Sequence, residues 1–378
     1  MKNFRPDYFD KFKCIADKCD FTCCRDWTIA VDDNTYTDWK TKGIANHVEE
    51  YDGGRRIILD NGKCPYLCDN GLCSIVNEYG EECLSKTCHT YPREKHLLHD
   101  RVEETLTLSC KAVIDLLWKQ DSFNVVECSD EEFVISESDG EKTVCPKYLY
   151  NLRDWFIEIA NDKTLSINDA LKVILYIALD VRDKEIESEE ELKEYHNTDI
   201  LSKLIPLVTD ETQKTDSLDR FIENNELLLD LFIRYYEQKK YLDHVGAIYE
   251  RAEKLEQDID DGIAIEIYEK YLEWLDSRYE EKLRIIVAEE LWSTLIVSYA
   301  DIETMIVKIE WLAIELAVLR QWMFLYYDVH KKLDVEDLLQ IVAVLFRITG
   351  YCDDDIIEYL EDSFEEIIWD WGYIDLIL

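Results

Sequence analysis

Proline runs out early in this chain. All five prolines (Pro6, Pro65, Pro92, Pro146 and Pro206) precede residue 207, so beyond that point no fixed φ or missing N–H interrupts helical pairing. Bilayer-length apolar runs are missing too. The longest apolar-rich stretch, Trp311 to Tyr327, is broken by Glu315, Arg320 and Gln321, which predicts no membrane span and no membrane partner. The opening MKNFRPDYFD has neither the apolar core nor the small-residue cleavage site of a secretory signal, which predicts a cytoplasmic protein. Positive charge is scarce: 42 Lys+Arg stand against 83 Asp+Glu, a formal net charge of −41. Phosphate backbones would be repelled and no basic stripe exists to release counterions, so nucleic acid is excluded as a partner. No strand–Gly-x-Gly–helix fingerprint occurs either, which excludes a Rossmann-like cofactor site.

Cysteine, by contrast, is abundant and unevenly spread. Eight of the 13 form a pattern in the first 110 residues: Cys14-x4-Cys19-x3-Cys23-Cys24, then Cys64, Cys73, Cys88 and Cys110. Thiols that fill a core scatter, and do not sit side by side as Cys23 and Cys24 do. In a reducing compartment such clusters are ligands or catalysts rather than disulfides. The spacing fits a zinc knuckle loosely and misses a known iron–sulfur spacing by one residue. It therefore predicts a metal centre without choosing the metal. Cys68, Cys83, Cys128, Cys145 and Cys352 lie outside the pattern and read as small buried hydrophobes.

Length and composition predict two domains, a cysteine-cluster metal-binding domain at 1–120 and an acidic helical domain at 121–378. The first carries a net charge of −4 and the second −37. The excess either solvates helical surfaces or concentrates a cationic substrate. Alternation and turn signals predict strands at Trp27–Val31, Arg55–Leu59 and Glu103–Leu108, with a left-handed glycine in the Asn70-Gly71 turn. Short helices are expected at Ser74–Tyr79 and Ala112–Lys119. After residue 150 the apolar period becomes 3.6, with Ser166 as an N-cap and Gly350 as a C-cap. The fold class is thus mainly α: a small irregular Cys-rich module of short strands and turns, then an all-α domain. Stacking of helix pairs into a solenoid stays open.

The eight-cysteine pattern, with Cys64-Pro65-Tyr66-Leu67, Gly71-Leu72-Cys73-Ser74-Ile75 and Cys88-His89-Thr90-Tyr91-Pro92-Arg93, resembles the flagellin lysine N-methylase (FliB) family. That family belongs to a broader group of zinc- or iron-chelating cysteine-cluster proteins. The resemblance rests on the first 110 residues; the segments around Leu319-Arg320 and Leu345-Phe346-Arg347 add little. It implies S-adenosylmethionine-dependent methylation of flagellin lysines, with a [4Fe-4S] cluster on Cys14, Cys19, Cys23, Cys24, Cys64, Cys73, Cys88 and Cys110. Eight thiols exceed the four that one cluster needs. The Cys-x3-Cys-x2-Cys spacing of radical enzymes is absent, because Cys24 follows Cys23 at once. Any S-adenosylmethionine site is therefore non-standard.

Beside the cysteines, Tyr91 and Arg93 are candidates for binding S-adenosylmethionine, Arg93 through its bidentate fork to the carboxylate. His89 is a candidate for tuning a neighbouring sulfur. Arg320 and Arg347 lie on otherwise apolar helical faces and need partners, for which Glu310 or Glu315 would serve. A lysine amine must lose a proton before attacking a sulfonium methyl, which predicts a mostly apolar, aromatic site with one acid. Two other functions fit the residues: a non-enzymatic metal carrier or adaptor, and a helical scaffold with a structural zinc.

Overall fold

The computed structural model describes residues 2–98, 100–128, 145–210, 217–260, 264–296, 300–350, 353–364 and 371–378. The chain begins with strand β1 (Lys2–Pro6), then runs through short 3-10 turns to helix α1 (Asp33–Lys42). Asp32 caps α1 by accepting from the Thr35 N–H at 3.0 Å. A two-stranded hairpin follows, β2 (Val48–Tyr51) and β3 (Gly54–Ile57), then the short helices α2 (Ser74–Tyr79) and α3 (Lys86–Thr90). Strands β4 (Arg93–Leu97) and β5 (Arg101–Leu106), helix α4 (Lys111–Trp118) and strand β6 (Val125–Cys128) complete this part.

Strands β4-β5-β1-β6 form one sheet, in which β1 runs parallel to β5 and antiparallel to β6. The expected strand at Trp27–Val31 is reduced to one isolated bridge, Ala30 to Arg56. Its amides go to the hairpin instead: Val31 N–H donates to the Arg55 carbonyl at 2.9 Å. Gly71 has the expected left-handed backbone, φ +79°, and a Cβ there would sit 3.2 Å from Asp17 Cα. This close approach seats the Cys68–Cys73 turn against the Cys14–Cys19 loop.

The rest is helical: α5 (Lys147–Asn161), α6 (Ile167–Asp183), α7 (Glu189–His196), α8 (Ile200–Val208), α9 (Ser217–Glu237), α10 (Leu242–Asp260), α11 (Ala264–Thr294), α12 (Ile302–His330), α13 (Val335–Ile348), α14 (Asp353–Phe364) and α15 (Trp371–Ile377). Ser166 caps α6 as expected, accepting from the Asp169 N–H. At the end of α13 the cap is Thr349 rather than Gly350, and it stays in the right-handed region. Every residue of α12 from Met305 to Leu325 is buried. Helices α6, α9, α10, α11 and α13 pack around α12, so the architecture is a wrapped central helix and not a solenoid. An all-round apolar helix demands such a position. Among the described residues no helix is long and apolar enough to cross a membrane.

Two apolar cores result. The large one joins the helices to Tyr8, Phe9, Phe12, Phe21, Leu106 and Leu108 of the N-terminal part. A satellite core gathers Ile29, Val31, Trp39, Ile57, Cys64, Tyr66, Ile75 and Cys83, with Cys24, Cys73 and Cys88 partly buried against it.

Acids are buried where the sheet meets α11 and α12. Glu289 accepts from Tyr8 Oη at 2.5 Å and Thr105 Oγ1 at 2.7 Å. Burial pushes its carboxyl up to about 7. Burial also pushes Glu315 up to about 8 and raises Glu290, which faces the charges of Glu315 and Glu289. These groups bind protons more tightly folded than unfolded, so their stabilising contribution is complete below about pH 4.5 and is lost as pH rises through 7 to 8. Stability in urea titrations should fall by a few kcal/mol between pH 5 and pH 8, and Glu315→Gln should flatten the slope. A stability that climbs across that window would contradict the protonated state of this cluster.

Candidate metal centre and cleft

The cysteine module positions its sulfurs by one recurring local device. In five cases the thiol accepts from the backbone N–H two residues ahead: Cys14 from Ala16 at 3.4 Å, Cys19 from Phe21, Cys64 from Tyr66, Cys73 from Ile75 and Cys110 from Ala112. Cys73 and Cys110 stand at the starts of α2 and α4 and accept a second amide each, from Val76 and Val113. Cys88 is held by Ser85, the N-cap of α3. Such hydrogen bonds fix a thiolate's direction and lower its charge density, as the outer shell of a metal site does.

Backbone pairing then brings distant cysteines together. Cys64 N–H donates to the Cys24 carbonyl at 2.9 Å, and Leu67 bridges to Cys73. Cys24, Cys64, Cys73 and Cys88 end up as neighbours in all six pairings, each close enough for one thiolate's charge to raise another's pKa. Burial is the main cause of those shifts, carrying Cys64 up to about 12 and Cys88 up to about 11. Cys23 and Cys24 share a proton: the hydrogen bond from Cys23 lowers Cys24, while Cys23 is raised. A second group, Cys14, Cys19 and Cys110, is close in all three pairings. Among the described residues no three Cys, His, Asp or Glu side chains converge tightly enough to clasp a single ion.

The remaining cysteines divide. Cys145 is buried in the large core, and Cys83 is buried in the satellite core with its thiol toward Asp38 at 3.9 Å. Cys128 ends β6, half-buried, and Cys352 lies outside the described residues. Cys68 is not packing: it is half-buried and lines a cleft.

That cleft, of ≈ 780 Å³, lies between the cysteine module and the α9–α10 connection. Its walls include the Cys19–Asp26 loop, the Leu67–Gly71 turn, Tyr241, Asp243, His244 and Arg347. Phe21 forms an aromatic corner with Tyr241, 5.9 Å between centroids, and meets the His244 ring edge-on at 5.5 Å. Acids (Asp20, Asp26, Asp69, Asp243) alternate with cations (Arg25, Lys63, Lys239, Arg347). The cleft is therefore more polar than the apolar site with one acid that the sequence suggested, because charged loops rather than helix faces form its rim.

Arg347 is the residue that sequence reasoning undervalued. Its guanidinium leaves α13 and donates to the carbonyls of Ser109 at 2.9 Å, Thr22 at 3.1 Å and Phe21 at 3.4 Å, lying 3.7 Å over the Phe21 ring. Its charge opposes the burial that raises Cys19 and Cys23, and adds to the lowering of Cys24. Neither Glu310 nor Glu315 is its partner. Arg320 likewise pairs with Asp276 and, at 3.9 Å, Glu280. A charge on an apolar face was the only signal, and it could not say that one partner was backbone 238 residues away.

Tyr91 stacks edge-on with Trp27 at 4.8 Å and shares a 3.1 Å hydrogen bond with Ser109. Burial raises its phenol, as do the nearby Cys110 and Cys23. Arg93 lies on edge strand β4 with its guanidinium 4.8 Å over Phe12, and His89 is exposed at the end of α3.

Fold and site define a class: a helical protein carrying a cysteine cluster beside a polar cleft. The model of the FliB lysine N-methylase C-terminal domain matches residues 153–376. The chain belongs to the FliB lysine N-methylase family. It is 29% identical over 121 residues to a lysine-N-methylase of Salmonella typhimurium, covering 29% of this chain and 30% of that protein. Over a stretch of the same length it is 28% identical to the flagellar biosynthetic protein FliU of Salmonella muenchen, covering 72% of that protein. The match thus spans under a third of the Salmonella typhimurium protein. No solved structure matches. The family match falls on the helical part, beyond the first 110 residues that carry the sequence resemblance.

Proposed function

We propose that this chain is a lysine N-methylase that moves methyl groups from S-adenosylmethionine to flagellin lysines, with a [4Fe-4S] cluster on Cys24, Cys64, Cys73 and Cys88. The observation that carries the activity is the family match across residues 153–376. The likeness to FliU, a flagellar biosynthetic protein, supports a flagellar substrate.

The donor set suits the cluster. One zinc ion draws its sulfurs to about 2.3 Å from a single point, whereas a four-iron cluster spreads four thiolates more widely. Here four thiols are mutual neighbours without converging on an ion site. The raised pKa values of Cys64, Cys73 and Cys88 mean that these three join Cys24 as thiolates only when bound metal charge compensates. When bound, S-adenosylmethionine supplies a sulfonium methyl, and the cluster supplies thiolate-held iron beside it.

The cleft's volume falls in the range of small-molecule sites. Arg25 and Lys63, or Arg93 from the module's edge, would meet the donor carboxylate. Asp20, Asp26 and Asp243 draw in the lysine ammonium. His244 then takes its proton: burial lowers the imidazole below its ordinary value against the opposing charges of Asp243 and Asp20, so it is neutral and able to accept at pH 7.

Anaerobically purified protein should carry the four irons of one cluster and add methyl groups to flagellin lysines, read by mass spectrometry. His244→Gln should cut the rate about 10²-fold while leaving iron content unchanged. In the wild type the rate should fall as pH drops below the ordinary histidine range. Flagellin left unmodified by cluster-loaded protein, with no binding of S-adenosylmethionine, would replace the enzyme with the metal carrier.

A further inference from the structure

A second cavity lies wholly in the helical part and shares no residue with the cleft. It spans ≈ 230 Å³ between α6, α9, α11, α12 and α15. Sites for drug-sized ligands run to about 300–1,000 Å³, so an occupant here is smaller. Most charged groups on the wall are already matched. Lys172 meets Asp375 at 2.6 Å, Arg320 pairs with Asp276, and Asp169 accepts from Ser166 Oγ at 2.7 Å. Glu280 accepts the Ile167 N–H at 2.5 Å and lies 3.5 Å from Arg284.

Two groups are not matched, and both come from α9. Arg220, half-buried, donates its Nε to the Leu376 carbonyl at 3.1 Å. Among the described residues its guanidinium forms no ion pair; Asp375 and Asp169 attract it only from a distance, and burial lowers it from its ordinary value. Asn224 is 2% exposed and donates Nδ2 to the Ile377 carbonyl at 3.1 Å, while its Oδ1 has no hydrogen-bond partner. A carbonyl can only accept, so the amide's orientation is fixed and the open atom is the acceptor. Buried acceptors are rarely left unpaired. Four positions apart on one helix, Arg220 and Asn224 share a face and present a cation beside an acceptor. Tyr268, Leu272 and Ile377 give the same cavity an apolar side.

We propose that this cavity binds a small α-amino acid with an apolar side chain. The carboxylate lies against the Arg220 fork, and the α-ammonium donates to Asn224 Oδ1. Asp169 and Glu280, half-buried on the same wall, favour an ammonium there over an uncharged hydroxyl. The side chain rests on Tyr268, Leu272 and Ile377. This site depends neither on methyl transfer nor on metal.

The test is calorimetric titration of the full chain with L-valine and L-leucine. At least one should bind saturably at a single site. Analogues of the tighter binder lack either the ammonium (3-methylbutanoate or 4-methylpentanoate) or the carboxylate (isobutylamine or 3-methylbutylamine). Each should bind at least about tenfold more weakly, because each gives up a charge-assisted contact. Arg220→Gln should weaken binding about tenfold to a hundredfold, and Arg220→Lys, which keeps the charge without the fork, by less. Urea melts check that both variants fold; the analogue series needs only the wild type and decides if they do not. Binding of neither amino acid overturns the proposal, leaving a cavity that holds only water. So does an analogue that binds as tightly as its parent, or wild-type affinity in folded Arg220→Gln protein, which would put the ligand elsewhere. No readout involves metal or flagellin, so failure here leaves the methylase reading standing.

Discussion

Replacing Cys64 or Cys88 by Ala should remove the cluster's iron and abolish methyl transfer together, a loss of at least about 10³-fold if the cluster takes part in the reaction. Both thiols neighbour the other three members of the set, and burial raises both. Removing one would leave the proposed cluster with three of its four protein ligands. Cys145→Ala, deep in the large core, should change neither iron content nor rate, since a buried Cys→Ala swap leaves only a small cavity. The readouts are iron per chain and methyl-lysine by mass spectrometry. An iron-free but folded Cys64→Ala protein that methylates at the wild-type rate would show the cluster to be a bystander.

Arg153→Ala should destabilise the fold by about 3–5 kcal/mol, the cost of stranding a buried charge. Arg153 is fully buried on α5, and its two guanidinium nitrogens meet the Glu103 carboxylate of β5 at 2.5 and 2.8 Å. Trp292 of α11 covers the guanidinium at 4.1 Å. Arg101 also reaches Glu103, at 2.7 Å, so part of the charge stays paired and the lower end of the range is expected. Arg153→Met with Glu103→Leu should recover most of the loss, because replacing a buried pair by apolar groups is often neutral. Urea melts of the three proteins measure this. A single-variant cost below about 1 kcal/mol, the scale of an exposed pair, would mean that the ion pair does not join sheet to helices. The same contact ties the N-terminal sheet to the helices, with which it shares the large core.

Much of this protein could be read locally. The turn at Asn70-Gly71 requires a left-handed glycine, Ser166 caps a helix through its own hydroxyl, and the run from Trp311 to Tyr327 is too charged for lipid yet apolar all round. Each of these depends on residues within one or two turns of one another, so the chain alone determined them. The clustered cysteines belong here too, because a thiol followed by a free amide two residues on is a local device that repeats at five positions. Strands β1 and β6 escaped because each is short and is stabilised by its partner in the sheet rather than by its own pattern. The sorting of seven of the eight thiols into groups of four and three depended on pairings such as Cys64 with Cys24, and on the Lys111 and Arg347 clamps that cross 91 to 326 residues. So did the cleft, whose walls come from loops far apart in the chain. Spacing sets where a sulfur points relative to its own backbone, but only tertiary packing decides which other sulfurs it meets, because that distance is fixed by the long-range contacts that close the loops between them.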